Sequence, residues 1–536
     1  MPRALLSVYK KDEPFLDFAR ALHERGWELV SSGGTAKFLA KAGFPVTDVA
    51  GITGEPAMLD HRVVTLHPKI HGGLITGPEQ EIEREERGIP RFDLLCVGLY
   101  PLEEAIALPD ATEESVLALT DIGGPAMLRS AAKGRRLIVS SPKDYGIALA
   151  AIESPDLDSF MLRRRMAGIT EGRVARYSLD SARFLSRGAI NGFIGERVQE
   201  CAYGENPWQS PAAHYAGGWE DPLALHNFKQ LAGNAPSYNN LVDADAVLQT
   251  TTHIAAVWDV NRGYVPYIAV ADKHTNPCGA AVSSYRDTAV RNMIDGDPIA
   301  IFGGFMGFNF PVDDDIAELL LTHGMPPGQR RVISGIMAPA FTDSAVERLE
   351  RKKGECRFLA NQALENLSRY SLDTAPRMRS IRGGWVTQPN YTYVLNLRDP
   401  DLKYHDAADH GMPPLQDEDD MMLAWAVGST SFSNTISIVR NRMLIGNGVG
   451  QKDRWFGAHI AVLLAQRAGH SIAGAAAYSD SFFPFPDGAE VLRDAGVHTL
   501  LASTGSIRDK SVLNAFCQDG RRMITAPDRK IRGFRH

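Results

Sequence analysis

Two adjacent ionisable residues, Lys273 and His274, stand where an apolar run of the sequence gives way to turn-forming residues. The run, residues 267–271, is Tyr-Ile-Ala-Val-Ala, which predicts a buried strand, and Pro277 and Gly279 then predict a turn. In α/β proteins, ligands bind at the carboxyl ends of strands. A histidine there can accept a proton, and a lysine beside it can stabilise a developing oxyanion. The pair therefore predicts an acid–base site, with an ordinary solvated loop as the alternative.

A glycine turn near the start of the chain is a second candidate site. Residues 27–30 predict a strand and residues 36–42 a helix, and Ser-Ser-Gly-Gly-Thr connects the two. Glycines let backbone N–H groups approach a phosphate, and the start of a helix adds partial positive charge. A plain strand-to-helix connection has the same pattern. The residues of this predicted anion site are Ser32, Gly33, Gly34 and Thr35.

A basic segment, residues 61–73, contains three histidines, of which His67 and His71 have the spacing of a metal-binding pair. Pro68 lies between them and disfavours one regular helical face, so the segment is predicted to be a loop. The second cysteine of the zinc-deaminase pattern Pro-Cys-x-x-Cys is missing as well, because Cys278 is followed by Gly-Ala-Ala. The sequence therefore predicts no metal site.

Length and composition limit the classes of protein to consider. A chain of 536 residues predicts about two to four domains. The formal net charge of −7 excludes a general attraction to nucleic acid or to an anionic membrane. Five scattered cysteines predict a reducing cytosol, and no signal peptide or membrane-spanning run is recognised. We therefore expect a cytoplasmic protein without nucleic-acid or membrane partners.

The order of predicted elements divides the chain into two regions. Strands alternate with helices up to about residue 196, and residues 171–197 are predicted to be largely helical and to link the two regions. The second region, from residue 197 onwards, carries the Lys273-His274 pair.

Several motifs of the second region together resemble a known family. Lys-His followed by Pro-x-Gly-Ala-Ala, Gly-Asn-Gly-Val-Gly-Gln at 446–451 and Asp-Ser-Phe-Phe-Pro-Phe at 480–485 are similar to its transformylase half. That family joins aminoimidazole carboxamide ribonucleotide (AICAR) transformylase to inosine monophosphate (IMP) cyclohydrolase, and the resemblance covers nearly the whole chain. It implies de novo purine biosynthesis. The formyl group of 10-formyltetrahydrofolate is transferred to AICAR, and dehydrative ring closure of the formylated product then yields IMP.

The resemblance also implies roles for residues of the second region. His274 is the base, Lys273 the partner of the oxyanion or leaving nitrogen, and Asn434 orients these groups. The implied substrate-binding residues are Tyr203, Gly204, Asn240, Phe302, Gly303, Arg454, Phe482, Phe485 and Arg532. Three positions depart from the family, which has an arginine, a histidine and an acidic residue at Ala202, Trp208 and Ser334.

In the first region the resemblance implies the cyclohydrolase site. The implied proton-transfer residues are Tyr100, Asp121 and Lys133. The implied binding residues are Ser7, Lys11, Ser32, Gly33, Gly34, Thr35, Arg62, Thr65, Ile122 and Gly123. Val64 replaces a family lysine implicated in ring closure, and Gly98 replaces an asparagine. We therefore expect nucleotide binding to be retained and ring closure to be weaker.

For the fold, the resemblance implies an α/β protein with a methylglyoxal-synthase-like doubly wound domain at residues 1–196, including a helical linker at its end. Residues 197–536 are expected to form the AICAR transformylase domain, built from two cytidine-deaminase-like α/β units. A homodimer is expected, because the family's transformylase sites lie at a dimer interface. Two alternatives stay open: a transformylase with a weak or inactive cyclohydrolase domain, and a non-catalytic purine-nucleotide binding protein.

Overall fold

The computed structural model describes residues 1–59, 63–154, 156, 160–217, 220–406 and 415–536. The chain divides into two compact units, Met1–Glu196 and Arg197–His536. Within the described residues, no helix combines the length and the apolar character needed to cross a membrane.

The first unit alternates strands and helices along the chain. Its strands are β1 (Arg3–Val8), β2 (Glu28–Ser31), β3 (Val46–Asp48), β4 (Leu94–Gly98) and β5 (Leu137–Val139). Its helices are α1 (Glu13–Glu24), α2 (Gly33–Lys41), α3 (Val49–Thr53), α4 (Pro68–Ile75), α5 (Glu81–Glu86), α6 (Leu102–Ala107), α7 (Glu113–Ala118), α8 (Gly123–Lys133), α9 (Tyr145–Glu153) and α10 (Phe160–Leu185).

These five strands form one parallel sheet in the order β3-β2-β1-β4-β5. Alternate residues of each strand face opposite sides, so β1 buries Leu6 against α1 and α9 and Leu5 against α4 and α8. The strand order reverses between β1 and β4, which is the place where doubly wound sheets bind ligands. The predicted doubly wound fold of this region is confirmed.

Two local predictions for this unit were wrong. Residues 68–75 form the helix α4 rather than a loop, because Pro68 occupies the first helical position, where a proline is tolerated. His67 caps this helix by accepting a hydrogen bond from the N–H of Lys69. Helix α10 begins earlier and ends earlier than the predicted helix over residues 171–197.

The second unit contains the remaining elements. Its strands are β6 (Glu196–Glu200), β7 (Ala213–Ala216), β8 (Lys229–Ala232), β9 (Tyr267–Lys273), β10 (Asn276–Ser283), β11 (Phe305–Phe308), β12 (Gly335–Ala338), β13 (Arg357–Ala360), β14 (Arg377–Ile381), β15 (Gly384–Gln388), β16 (Lys403–Asp406), β17 (Ile436–Arg440), β18 (Met443–Gly448), β19 (Ala476–Ser479), β20 (Thr499–Thr504) and β21 (Arg522–Pro527). Its helices are α11 (Tyr238–Arg262), α12 (Arg286–Gly296), α13 (Asp314–Thr322), α14 (Asp343–Leu349), α15 (Leu415–Ser429), α16 (Arg454–Arg467), α17 (Asp487–Ala495), α18 (Asp509–Phe516) and α19 (Asp528–Ile531).

Twelve of these strands form one mixed sheet in the order β16-β21-β20-β19-β17-β18-β10-β9-β11-β12-β13-β8. The two halves of this order repeat each other outward from the β10–β18 pair. Each half has an antiparallel hairpin, an antiparallel third strand, two parallel strands and an antiparallel edge strand. Helices α11 and α15 precede the two hairpins and pack on the same side of the sheet. The second unit is therefore an internally duplicated α/β structure.

The turn that carries His274 differs from the predicted one. Strand β9 ends at Lys273, and the connection to β10 consists of His274 and Thr275 alone. Pro277 and Gly279 lie inside β10, with an irregularity of strand pairing between them. The turn is tighter than expected because the strand resumes at Asn276.

Candidate functional site

The first unit has an open polar cavity of about 670 Å³ at the carboxyl ends of β1, β2 and β4. It lies at the point where the strand order reverses, and the N-terminal ends of α2 and α8 face it. Eleven predicted residues line it: Ser7, Lys11, Ser32, Gly33, Gly34, Thr35, Thr65, Tyr100, Asp121, Ile122 and Gly123. The free N–H groups at the start of α2 favour an anion in such a cavity.

Asp121 is fixed beside the start of α8. The Tyr177 hydroxyl on α10 accepts a hydrogen bond from the N–H of Asp121 at 2.7 Å and donates to the carbonyl of Leu119 at 3.1 Å. Asp121 Oδ1 accepts a hydrogen bond from the N–H of Gly124 at 2.8 Å. A Cβ at Gly124 would approach Asp121 Oδ2 to 2.3 Å, so only glycine fits there.

The ionisable groups of this cavity have shifted pKa values. Burial raises the pKa of the Asp121 carboxyl, and hydrogen bonds from the N–H groups of Gly124 and Gly123 oppose the rise. Burial and the charge of Asp121 raise the pKa of Tyr100. Burial lowers the pKa of Lys11. The pKa of Asp121 is therefore shifted towards neutral pH, which favours proton transfer by this carboxyl.

The remaining polar side chains of the cavity differ in whether they are already hydrogen-bonded within the protein or can bind a ligand. The Thr35 hydroxyl accepts from the N–H of Val8 at 3.2 Å and donates to its carbonyl at 3.1 Å, so it joins α2 to β1. The Ser32 side chain makes no capping hydrogen bond to α2. Lys11 lies over the glycine turn, because a Cβ at Gly34 would be 3.3 Å from its Cε.

The structure does not bring Lys133 into this group. It is the last residue of α8, whose first residues face the cavity, so the 11-residue helix places it about 15 Å away. Lys69 does not line the cavity either, since its ammonium donates to the carbonyl of Ile52. Arg62 lies outside the described residues. Val64 and Gly98, where the family has functional side chains, do line the cavity.

The second unit has a cavity of about 470 Å³ beside the β9–β10 turn. Lys273 and His274 line it, together with Asp297 and Asn447. The Lys273 ammonium donates a hydrogen bond to the carbonyl of Phe302 at 3.0 Å, which brings the predicted Phe302-Gly303 loop to the same place.

Three other predicted residues of this unit lie at the start of α11. The carbonyl of Tyr203 accepts from the N–H of Tyr238, and the N–H of Gly204 donates to the carbonyl of Gln209. The Asn240 side-chain oxygen accepts hydrogen bonds from the N–H and the hydroxyl of Ser237, each at 3.0 Å. The Asn240 side chain therefore caps α11 in this structure, which the sequence analysis did not anticipate.

Asn434 connects to the β9–β10 turn through its neighbours. Its side-chain amide donates to the carbonyl of Gln451 at 2.9 Å. Two residues earlier, the N–H of Phe432 donates to Asn276 Oδ1, and the Asn276 amide donates to the carbonyl of His274, both at 3.0 Å.

The predicted arginines are paired with carboxylates. Arg454 Nη2 lies 2.8 Å from Asp480 Oδ1, and the Asp480 side chain is fully buried. Arg532 pairs with Asp528. Both guanidinium groups also lie over the ring of Phe534, at 5.7 Å for Arg454 and 4.9 Å for Arg532. The C-terminal segment therefore packs beside the start of α16.

The aromatic run at 480–485 divides between core and surface. Phe483 is buried in the core, Phe482 is half-buried, and Phe485 is exposed beneath the Arg508 guanidinium at 4.3 Å. Within the described part of the chain, no group of three or more His, Cys, Asp or Glu side chains is arranged to hold a metal ion.

Sequence reasoning missed the acids behind the Lys273-His274 turn. Asp272 is fully buried, and neither of its carboxylate oxygens has a hydrogen-bond partner. Asp243, on α11, accepts a hydrogen bond from the N–H of Thr275. The available signal was Asp272 itself, because a charged residue at the end of an apolar strand breaks the pattern of the run.

The fold and the two cavities define a two-unit α/β protein with a separate candidate site in each unit. A sequence model of the family described as AICARFT/IMPCHase bienzyme matches residues 131–463, and one described as MGS-like domain matches residues 14–126. Since the first match spans more than half of the chain, the chain belongs to the AICARFT/IMPCHase bienzyme family. It is an AICAR transformylase and IMP cyclohydrolase of purine biosynthesis, so the predicted family and the predicted enzyme class are confirmed.

A solved structure titled "Crystal structure of ForH" is also similar to part of the chain. The match has 30% sequence identity and covers 36% of this chain and 100% of that chain, with a TM-score of 0.32. The family itself implies folate-dependent formyl transfer to a purine intermediate.

The burial of Asp272 leads to a prediction about stability. Burial raises the pKa of its carboxyl well above the ordinary value of 3.8, so the folded chain keeps a proton that the unfolded chain loses as the pH rises. Asp272 therefore lowers the free energy of unfolding above about pH 4, by about 1.4 kcal/mol for each unit of pKa shift. We expect Asp272→Asn to be more stable than the wild type near neutral pH, with the difference disappearing at about pH 4.

Urea unfolding at the two pH values measures this difference. Asp519→Asn is the matched control, because the Asp519 side chain is 88% exposed. A stability gain that does not depend on pH, or no gain at neutral pH, contradicts the prediction.

Proposed function

We propose that the second unit, residues 197–536, catalyses formyl transfer with 10-formyltetrahydrofolate as co-substrate. His274 takes the proton from the AICAR amine, and Lys273 stabilises the oxyanion or the leaving nitrogen. The observation that carries this proposal is that both side chains line one cavity, where Lys273 is held by the Phe302 carbonyl at 3.0 Å.

The reaction requires these groups for a chemical reason. The AICAR amine is conjugated with its ring and carboxamide and is therefore a poor nucleophile. It needs a base at its N–H and a stabilised tetrahedral intermediate at the formyl carbon. Asn434 orients these groups, and proximity of two bound substrates contributes to the rate. This chemistry uses side chains alone and requires no metal ion.

We propose that the first unit, residues 1–196, closes the ring of the formylated product. Its substrate phosphate binds at the glycine turn and Lys11, and Tyr100 and Asp121 move protons. The raised pKa of Asp121 supports this role, because the carboxyl is shifted towards neutral pH. The backbone amide of Ile122 supplies a donor for an oxyanion, because the N–H groups of Gly123 and Gly124 are hydrogen-bonded to Asp121.

The five free thiols support a cytoplasmic location.

We also propose that the chain forms a homodimer. The hairpin of β14 and β15 is a separate two-stranded sheet, which alone is marginally stable in water. Its Ile381 and Val386 lie on one face of the hairpin and are each 52% exposed, so a second copy of the chain offers them an apolar partner.

The first test replaces the proposed base. We expect His274→Ala to lower the rate of formyl transfer by about 10²–10⁴-fold, because one positioned acid–base group is lost. The assay supplies AICAR and 10-formyltetrahydrofolate and separates the formylated intermediate from IMP. His23→Ala, an exposed histidine of the first unit, is the control and should keep full activity.

The products also separate the alternatives. Accumulation of the intermediate without IMP identifies a transformylase with an inactive cyclohydrolase unit. Formation of neither product by the wild type contradicts the proposed function, and near-full activity of His274→Ala contradicts the role of that residue.

The second test concerns Val64, which lines the cavity of the first unit. We expect Val64→Lys to accelerate ring closure of the formylated intermediate by up to about 10²-fold without changing formyl transfer, because a charged donor to the oxyanion is added. Val64→Met, which is long but uncharged, should show no gain. Equal rates for the lysine and methionine variants would mean that another group already serves the oxyanion.

The third test is the oligomeric state. Sedimentation of the wild type is expected to show a dimer, and Ile381→Glu with Val386→Glu should shift it towards monomer, since two charges would be buried. Ile507→Glu changes a fully exposed apolar residue elsewhere and should leave the dimer intact. A monomeric wild type excludes this role of the hairpin.

A further inference from the structure

The turn that carries His274 has a backbone conformation that its residues do not favour. His274 and Thr275 have φ values of 57° and 61°, and together they form the whole connection between β9 and β10. Two-residue turns with positive φ at both positions prefer Asn-Gly. Threonine is branched at Cβ and is rarely found in this region. Contacts from outside the hairpin must therefore hold the turn.

A carboxylate from α11 makes these contacts. Asp243 Oδ1 accepts a hydrogen bond from the N–H of Thr275 at 2.9 Å. Burial raises the pKa of Asp243, and hydrogen bonds from the N–H groups of Thr275 and His274 and the charge of the His274 imidazole oppose the rise. The turn's two N–H groups lie outside the strand ladder, so the carboxylate satisfies groups that would otherwise be unpaired.

The other half of the sheet repeats this contact with different turn residues. Asn441 and Arg442 connect β17 to β18 with φ values of 54° and 60°. Their two N–H groups donate to Asp420, at 2.9 Å from Asn441. Asp420 is the sixth residue of α15, as Asp243 is the sixth residue of α11. The same contact therefore exists twice, but only one of the two turns carries a histidine.

Neighbouring groups do not provide the same contact. Asp272 lies at the end of β9, next to the turn, but the N–H of Thr275 makes its well-aligned hydrogen bond to Asp243 at 2.9 Å. The start of α11 is capped by Ser237 and Asn240, so Asp243 is not needed to begin that helix. The contact of Asp243 with the turn is thus distinct from the folding of α11.

We propose that Asp243 is a positioning residue for formyl transfer: its carboxylate holds the His274–Thr275 turn through the backbone and thereby places the imidazole at the cavity. This inference rests on the role of His274 in the proposed function. Asp420 makes the equivalent contact for the fold alone, because its turn has no proton-transfer side chain.

The two acids provide a matched pair of variants. We expect Asp243→Ala to lower kcat for formyl transfer by up to about 100-fold, while KM for AICAR stays within about threefold, because the base is displaced but the binding residues remain. Asp420→Ala should reduce thermal stability and leave kcat within about twofold. If Asp420→Ala does not fold, Asp420→Asn, which keeps a neutral acceptor, takes its place. Equal losses of kcat in the two variants, or no loss in Asp243→Ala, would overturn the proposal.

A second substitution tests the route through the backbone. Glycine adopts positive φ without strain, so Thr275→Gly added to Asp243→Ala should recover kcat by about tenfold or more. Failure of this rescue would show that Asp243 does not act by holding the turn.

Hydrogen exchange tests the contact without using activity. Asp243→Ala should accelerate exchange of the amides of residues 274–275 and not those of residues 441–442, and Asp420→Ala should do the reverse. If the wild type lacks formyl transfer, the proposed function fails, while the exchange pattern still decides whether Asp243 holds the turn. Unchanged exchange at residues 274–275 in Asp243→Ala would overturn the inference.

Discussion

Two tight turns at the centre of the large sheet depend on carboxylates from the helices that precede them. Neither turn contains glycine, yet each has two successive residues with positive φ. Such turns persist where the surrounding structure satisfies their N–H groups, and Asp243 and Asp420 do this from the same position in α11 and α15. Because β10 pairs with β18, the two hairpins meet where the halves of the sheet join. The orientation of these helices on their shared core is therefore coupled to the geometry of both turns.

The duplicated halves have diverged in chemistry more than in architecture. Strand pairing aligns Lys273 with Asn276 in one hairpin and Arg440 with Met443 in the other, which makes Asp272 and Val439 equivalent positions. Val439 is buried in an apolar core, and Asp272 is equally buried but carries two unpaired oxygens. An unpaired polar group in a core lowers stability. Such departures from good packing are expected at functional sites rather than elsewhere in a fold.

In the first unit, the geometry of the cavity follows from the parallel sheet. The carboxyl ends of β1, β2 and β4 meet where the strand order reverses, and the start of α2 adds backbone donors. The absence of a side chain at Gly98 leaves room beside Val8, whose Cβ is 3.4 Å from the position that a Cβ at Gly98 would take. The rings of Tyr9 and Tyr100 pack with their centroids 5.2 Å apart in the same cavity. Two tyrosine rings therefore line this part of the cavity, and the Lys11 ammonium donates to the carbonyl of Tyr9 beside them.

The sequence by itself determined the α/β class, the family, eleven of the residues that line the first cavity, and Lys273 and His274 at the second. Strand-like apolar runs, glycine turns and short motifs are local patterns, and local patterns survive in any tertiary arrangement.

Tertiary structure alone decided which side chains are available to bind a substrate. It removed Lys133 from the first cavity, because a helix of 11 residues separates that lysine from the helix start. In the folded chain the Thr35 hydroxyl is hydrogen-bonded to the carbonyl of Val8. Arg454 and Arg532 form ion pairs with buried or half-buried carboxylates. Tertiary structure also joined Asp243 to Thr275, 32 residues further along the chain. Burial and hydrogen-bond partners are set by elements that pack together from distant parts of the chain, and no local pattern encodes them.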